Sequence, residues 1–89
     1  MVLNYDNYKA VGKKITKDLG LSRRTVELYQ SCLFWALQKN SLKETVGVSG
    51  RTISLLSDLE RNGLIKTTNV GRKYMGAELL TDFELTYSK

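Results

Sequence analysis

The cationic side chains of this 89-residue chain are concentrated near its amino terminus, where they could bind an anion. The first 25 residues hold six cations and two carboxylates: Lys9, Lys13, Lys14, Lys17, Arg23 and Arg24 against Asp6 and Asp18. A basic surface on a small domain favours polyanionic partners, chiefly nucleic acid and less often membranes or acidic proteins. Since the whole chain carries a formal charge of +5, nucleic acid is the first partner to consider.

The side chains that most catalytic sites need are scarce. The sequence contains no histidine, which removes the usual general base near neutral pH and the commonest zinc ligand. Cys32 is the single cysteine, and the apolar residues that follow it predict a buried thiol instead of a nucleophile. The seven glycines are scattered and form no phosphate-binding loop. We therefore expect a protein that is not an enzyme and that uses no cofactor and no metal.

The sequence shows no sign of a membrane segment or of an export signal. Its longest apolar run covers only residues 32–37, far short of the ~20 apolar residues that a transmembrane helix needs. The first residues lack the apolar stretch of a signal peptide, and a lone cysteine cannot form an internal disulfide. We expect a cytoplasmic protein, inside the host cell if it is viral, with no membrane partner.

The amino-terminal half of the chain predicts two helices. Residues 13–19 favour a short helix that ends at Gly20. Ser22 is a good N-cap for a longer helix over residues 23–39, because its hydroxyl can accept a hydrogen bond from a free backbone N–H group. Residues 1–12 have no clear period and predict a short strand or an irregular arm.

The helix over residues 23–39 is apolar on two faces. One stripe contains Val26, Tyr29, Leu33, Ala36 and Leu37, and the other contains Leu28, Cys32 and Trp35. A surface helix of a small domain needs only one apolar face. The second stripe must therefore be covered, either by the amino-terminal segment or by a second copy of the chain in a homodimer.

The carboxy-terminal half predicts two more helices and a β-hairpin. The elements are, in chain order, a helix over residues 42–46 capped by Ser41 and ended by Gly47, a helix over residues 50–62 capped by Ser49 and ended by Gly63, strands over residues 64–68 and 74–81, and a tail over residues 82–89 that adds a third strand or frays. In the second of these helices Ile53, Leu56 and Leu59 share the inward face.

The segment from residue 41 to residue 81 resembles the winged helix-turn-helix superfamily. The likeness rests on a short helix, a tight turn at Gly47, a second helix, and the sequence Gly63-Leu64-Ile65 that ends this helix and begins a hairpin. It implies an α+β fold with three to four helices and a C-terminal β-hairpin wing. The chain would then be one domain, with a basic N-terminal segment (1–20), a helical core (23–62) and the wing (64–81).

In this superfamily the second helix of the motif enters the major groove and the wing tip meets phosphate. Carried over to this sequence, the resemblance implies a DNA face made of Ser49, Arg51, Thr52, Ser54, Arg72 and Lys73. Arg51 would pair with guanine or clamp a phosphate, and the hydroxyl groups would bind backbone oxygens. The implied protein is a sequence-specific double-stranded DNA-binding regulator of transcription, acting as a dimer and encoded by a virus or plasmid.

Two other functions fit the same resemblance. The first is a replication or segregation accessory factor that binds repeated DNA sites. The second is a winged helix that binds a protein partner, which is favoured because residues 49–64 hold two cations and two anions and are therefore neutral. A neutral recognition helix with Leu55 in place of a polar residue suits a protein surface better than a phosphate backbone.

Residues 15–30 repeat the pattern of residues 42–57 at a constant offset of 27. The matched pairs are Gly20 and Gly47, Ser22 and Ser49, Arg24 and Arg51, Thr25 and Thr52, and Val26 and Ile53. The first copy is the more basic, which adds Arg23 and Arg24 to the candidate DNA-binding residues. The alternative is that its lysines form a solvated face or an arm that touches phosphates.

Overall fold

A computed structural model describes residues 1–43, 53–70 and 73–86. Within these residues it contains three helices and two sheets of two strands each. The elements are β1 (Val2–Leu3), α1 (Tyr8–Thr16), α2 (Arg23–Lys39), α3 (Ile53–Arg61), β2 (Ile65–Val70), β3 (Lys73–Leu79) and β4 (Glu84–Leu85). The chain is therefore a small α+β domain, in agreement with the coarse prediction of its fold class.

Helix α2 has the predicted bounds and contacts both α1 and α3. At its start Ser22 Oγ accepts a hydrogen bond from the N–H group of Thr25 at 3.3 Å, which confirms the predicted N-cap. At its end Asn40 adopts a left-handed conformation with a φ of 51°, and its N–H group donates to carbonyl oxygens of the last turn. Local capping groups at both ends therefore fix the length of this helix.

Helix α1 differs from the prediction at both ends. It spans Tyr8–Thr16 instead of residues 13–19, and Leu19 lies beyond it in a turn and is 36% exposed. The helix begins early because Asn4 Oδ1 accepts two backbone N–H hydrogen bonds, forming a turn that leads into it. Gly12 does not interrupt the helix, because its missing side chain is what permits close packing on α2.

The core lies between α2, α3 and the β2–β3 hairpin, with contributions from α1 and the two ends of the described chain. Its apolar side chains are Leu3, Val11, Tyr29, Cys32, Leu33, Ala36, Leu37, Leu56, Leu59, Leu64, Ile65, Ala77, Leu79 and Phe83. The predicted inward stripe of α2 is confirmed except at Val26, which is half-buried. Leu56 and Leu59 of α3 point into the core as predicted.

The second apolar stripe of α2 is buried only in part, and Leu28 within it is half-buried. Cys32 is buried, which confirms the expectation for its thiol. Tyr5 and Tyr8 lie against Phe34, with ring centroids 5.9 and 5.5 Å from the centroid of Phe34. Trp35, in contrast, is 41% exposed.

Helix α3 ends as predicted and leads into the hairpin. Gly63 has a φ of +74°, and the N–H groups of Gly63 and Leu64 donate to carbonyl oxygens of the last turn. The predicted beginning of this helix, residues 50–52, lies outside the described residues. The predicted helix over residues 42–46 lies mostly outside them too, and Leu42 itself is not helical.

Strands β2 and β3 form the predicted antiparallel hairpin, with Ile65 opposite Leu79 and an irregular register after Thr68. Both strands extend further toward the tip than predicted, and β3 ends two residues earlier, at Leu79. The N–H group of Leu79 also donates to the carbonyl oxygen of Leu42 at 2.8 Å. This bond holds the chain that follows α2 against the second strand of the hairpin.

The carboxy-terminal tail forms a strand, but that strand pairs with the amino terminus and not with the hairpin. β1 and β4 are parallel, with Val2 opposite Glu84 and Leu3 opposite Leu85. The side chains of Leu3 and Phe83 are buried, so the pairing closes one side of the core. The predicted third strand is thus present in a second, separate sheet.

Candidate nucleic-acid interface

A groove of about 950 Å³ lies between α1 and the start of α2. Four cations line it, Lys13, Lys14, Lys17 and Arg23, together with the carboxylate of Glu27. All four cationic side chains belong to exposed residues. We call this feature the basic groove. Because its cations outnumber its carboxylate, the groove has a positive potential and attracts anions.

Close packing of two helices creates the basic groove. Val11, Gly12 and Thr16 form the buried side of α1, which leaves the lysines of this helix exposed. A β-carbon on Gly12 would lie 2.8 Å from Gln30 Cγ and 3.2 Å from Leu33 Cδ1, and 2.8 Å is too close for non-bonded carbon atoms. Glycine at this position therefore sets how closely the backbones of α1 and α2 approach.

Hydrogen bonds and one turn hold the walls of the basic groove in place. Gln30 Nε2 of α2 donates to the carbonyl oxygen of Lys9 in α1 at 2.8 Å. Within α1 the buried hydroxyl of Thr16 donates to the carbonyl oxygen of Gly12 at 2.8 Å. Gly20, in the turn between the helices, has a φ of +68°, a conformation that glycine adopts without strain. The groove is thus formed by two helices and the turn that joins them.

Arg23 forms an ion pair with a carboxylate on its own helix. Its Nε donates to Glu27 Oε1 at 3.2 Å. The two side chains are 92% and 60% exposed, so the pair is weak and the guanidinium keeps other donors for a ligand. Arg24 is also exposed but does not line the groove.

The structure places the candidate residues in three groups. Arg23 joins the lysines of α1, and Arg24 lies beside it on the first turn of α2. Ser54 is exposed on the first described turn of α3, and Lys73 begins β3 opposite Val70. Four candidates lie outside the described residues: Ser49, Arg51, Thr52 and Arg72.

Lys13 and Lys14 of α1, and Lys17 directly after it, were not among the candidate residues chosen from the sequence. The sequence assigned them to a basic segment that could contact DNA, form a solvated face or act as an arm that touches phosphates. Their signal is the spacing of Lys13 and Lys17, four residues apart, which puts both side chains on the same side of a helical segment. The predicted helix over residues 13–19 contained both lysines, but the groove that they line depends on how α1 packs against α2.

A second, smaller depression of about 420 Å³ lies on the other side of Gln30 and Glu27, which line both features. It is lined by the rings of Tyr8, Phe34 and Trp35, with Lys9 beside them. We call it the aromatic cleft. The ring of Trp35 meets Phe34 edge to face, with centroids 5.8 Å apart and planes at 80°. Aromatic surface and cations therefore adjoin along the α1–α2 pair.

Two buried groups near the middle of α2 have raised pKa values. Burial raises the pKa of the Cys32 thiol to about 11, so the reactive thiolate is scarce at neutral pH. Burial also raises the pKa of Tyr29, and the neighbouring Thr81 offsets part of that rise. Among the residues that the structure describes, none forms a hydrogen bond of standard geometry with the Tyr29 hydroxyl, so this neighbour does not compensate fully for burial. Both groups stay neutral near pH 7.

The part of the chain that the structure describes contains no group of three or more His, Cys, Asp or Glu side chains placed to hold a metal ion. No described helix combines the length and the apolar character needed to cross a membrane. The basic groove and the aromatic cleft are two depressions in these residues that could bind a ligand.

Comparisons with known proteins add nothing to this description. No protein-family model, curated protein or solved structure matches the chain.

Proposed function

We propose that this chain binds double-stranded DNA as a winged helix-turn-helix module, and that it serves as a small transcriptional regulator acting as a dimer. The observation that carries the proposal is the basic groove, in which exposed cations from α1 and α2 lie side by side. Duplex DNA presents a regular line of phosphates, and a protein that neutralises several of them gains affinity by releasing counterions. A groove with four cations and one carboxylate suits that partner.

The arrangement of the carboxy-terminal half supports the winged-helix part of the proposal. Helix α3 ends at Arg61, and the chain turns at Gly63 into the hairpin, which is the order that the resemblance implies. The hydrogen bond between the N–H group of Leu79 and the carbonyl oxygen of Leu42 joins the hairpin to the chain that follows α2. A wing anchored in this way would keep a fixed position relative to the helices.

The dimer is proposed because the regulators that use this motif commonly read symmetric sites. Two copies would then address half-sites about one turn of DNA apart, ~34 Å, and the preferred site would be palindromic. Footprinting separates this function from that of a replication or segregation factor. A regulator protects one promoter site, whereas an accessory factor covers an array of repeats.

The test is the affinity of the full chain for a random duplex, measured by fluorescence anisotropy over a series of salt concentrations. Lys14→Glu/Lys17→Glu removes two cations from the basic groove. We expect the slope of log affinity against log salt concentration to become less steep by the equivalent of about two phosphate contacts, each of which contributes about −0.9 to the slope. Arg23→Glu/Arg24→Glu and Arg72→Glu/Lys73→Glu test the start of α2 and the wing in the same way.

The matched control is Lys39→Glu/Lys43→Glu, which reverses two exposed lysines that do not line the groove. It carries the same change in net charge, so it should lower affinity much less than the groove variant. Absence of duplex binding at low salt would reject the proposed function. Equal losses in the groove variant and the control would reject the basic groove as the binding surface.

A further inference from the structure

We propose that the aromatic cleft holds an unpaired nucleotide that continues from a strand bound in the basic groove, so that the preferred ligand is duplex DNA with a single-stranded extension. The inference rests on the proposed function, because it takes the groove as a phosphate-binding surface. It goes further by giving the ligand a second part and by assigning that part to the rings of Tyr8, Phe34 and Trp35.

The basic groove and the aromatic cleft are continuous with each other. Glu27 and Gln30 line both the basic groove and the aromatic cleft, so one surface passes into the other across α2. Lys9 lies at the cleft, and its carbonyl oxygen accepts the hydrogen bond from Gln30 Nε2. A strand leaving the groove would therefore find a further cation beside the aromatic rings. Basic surface followed by aromatic rings is the arrangement that binds single-stranded nucleic acid.

The rings of the aromatic cleft are partly packed and partly exposed. Phe34 is held by contacts with Tyr5 and Tyr8, at centroid distances of 5.9 and 5.5 Å. Trp35 contacts Phe34 edge to face and extends from this cluster with 41% of its surface exposed. A base inside a duplex is already stacked on its neighbours, whereas an unpaired base has free faces. The exposed indole therefore suits an unpaired base.

The surroundings of Trp35 argue against a second copy of the chain as the occupant. Of the four residues three or four positions away on α2, Ser31, Gln38 and Lys39 are exposed and polar, and Cys32 is buried. The rim of the cleft also contains Lys9 and Glu27. The centre of a dimer interface is depleted in charged residues and extends over many apolar side chains. One exposed ring inside a polar rim fits a single stacked base better.

The test uses the intrinsic fluorescence of Trp35, the only tryptophan in the chain. The full chain is titrated with a blunt duplex and with the same duplex carrying a short oligothymidine tail at either end. We expect the tail to quench the fluorescence and to raise affinity about ten-fold, which is the range for one base stacked on an aromatic ring. Trp35→Gln should lose the gain from the tail and keep the affinity for the blunt duplex. Trp35→Phe should keep part of the gain.

Three results would overturn the inference, and they differ in what they leave standing. Equal affinity for blunt and tailed duplexes, without quenching, would remove the stacking site and leave the proposed function intact. A change in Trp35 fluorescence that follows protein concentration without DNA would assign the ring to self-association. Failure to bind either DNA at low salt would overturn this inference together with the proposed function.

Discussion

Gln30 Nε2 donates a hydrogen bond to the carbonyl oxygen of Lys9 at 2.8 Å, which joins the middle of α2 to the first half of α1. The bond lies at the boundary of the basic groove and the aromatic cleft, because Gln30 lines both. Any change that separates the two helices would therefore alter both features together. The width of the groove is a property of helix packing as much as of its charged side chains.

Gly12→Val should destabilise the domain by about 1–3 kcal/mol, the usual cost of forcing extra atoms into a close-packed contact. The β-carbon alone would meet Gln30 Cγ at 2.8 Å. Helix propensity gives no reason for such a loss, because valine is a better helix former than glycine. Urea unfolding measures the difference. Ala10→Val is the matched control on the exposed side of α1 and should cost less than about 1 kcal/mol. Equal stability of the two variants would show that the helices are not in close contact at Gly12.

Glu27→Gln should raise affinity for duplex DNA. It should also make the slope of log affinity against log salt concentration steeper, by the equivalent of up to about one phosphate contact. The substitution removes the carboxylate of the basic groove and frees Arg23 from its ion pair. Stability should change by less than about 0.5 kcal/mol, as is usual for an exposed pair on one helix. Asp58→Asn is the control, since it removes one charge from the comparable Asp58–Arg61 pair on α3. If both variants raise affinity equally, net charge is the cause and the groove is not.

Ser22→Ala should lower the free energy of unfolding by about 1 kcal/mol, because it removes the N-cap of α2. The serine hydroxyl also lies 2.8 Å from Thr25 Oγ1, a buried group that would lose its partner. Thermal unfolding followed by circular dichroism measures the loss, and Ser22→Asp should restore most of it. Ser31→Ala, in the exposed middle of α2, should leave stability nearly unchanged. A similar loss in both alanine variants would contradict the capping role.

Stability should fall as the pH rises from about 9 to about 11, because of Cys32. Its pKa is raised in the folded state, so the stabilisation is complete below the unfolded pKa and is lost as the pH rises toward the folded pKa. A rise of about two pH units corresponds to roughly 2–3 kcal/mol. Urea unfolding at several pH values should therefore show a steeper alkaline decline in the natural chain than in Cys32→Ala. The alanine variant keeps the contribution of Tyr29, whose pKa is raised as well. Identical pH profiles would show that the thiol is not buried.

Local signals in the sequence were sufficient for some elements of the fold and insufficient for others. The bounds of α2 could be predicted because Ser22 caps its start and Asn40 caps its end, both through contacts with residues a few positions away. The bounds of α1 could not be predicted, because Gly12 is tolerated only through its contact with Gln30 and Leu33 in another helix. A glycine that normally weakens a helix is here a packing residue.

The candidate site shows the same division. Arg23 was found because its neighbourhood repeats the pattern around Gly47 and Ser49 at a fixed offset. The groove that Arg23 joins depends on how α1 crosses α2, which is a non-local property. The pairing of β1 with β4 was missed for the same reason, since nothing within either short segment identifies its partner.

The pairing of Val2–Leu3 with Glu84–Leu85 closes the described chain almost into a ring. The N–H group of Glu84 donates to the carbonyl oxygen of Met1, and that of Thr86 to the carbonyl oxygen of Leu3. Deleting either segment would therefore remove the hydrogen-bonding partner of the other and expose Leu3 and Phe83 to water. A short covalent bridge between the segments would hold them together in the unfolded chain as well, and the lost conformational freedom would favour the folded state. Neither of these two paired segments is a dispensable extension.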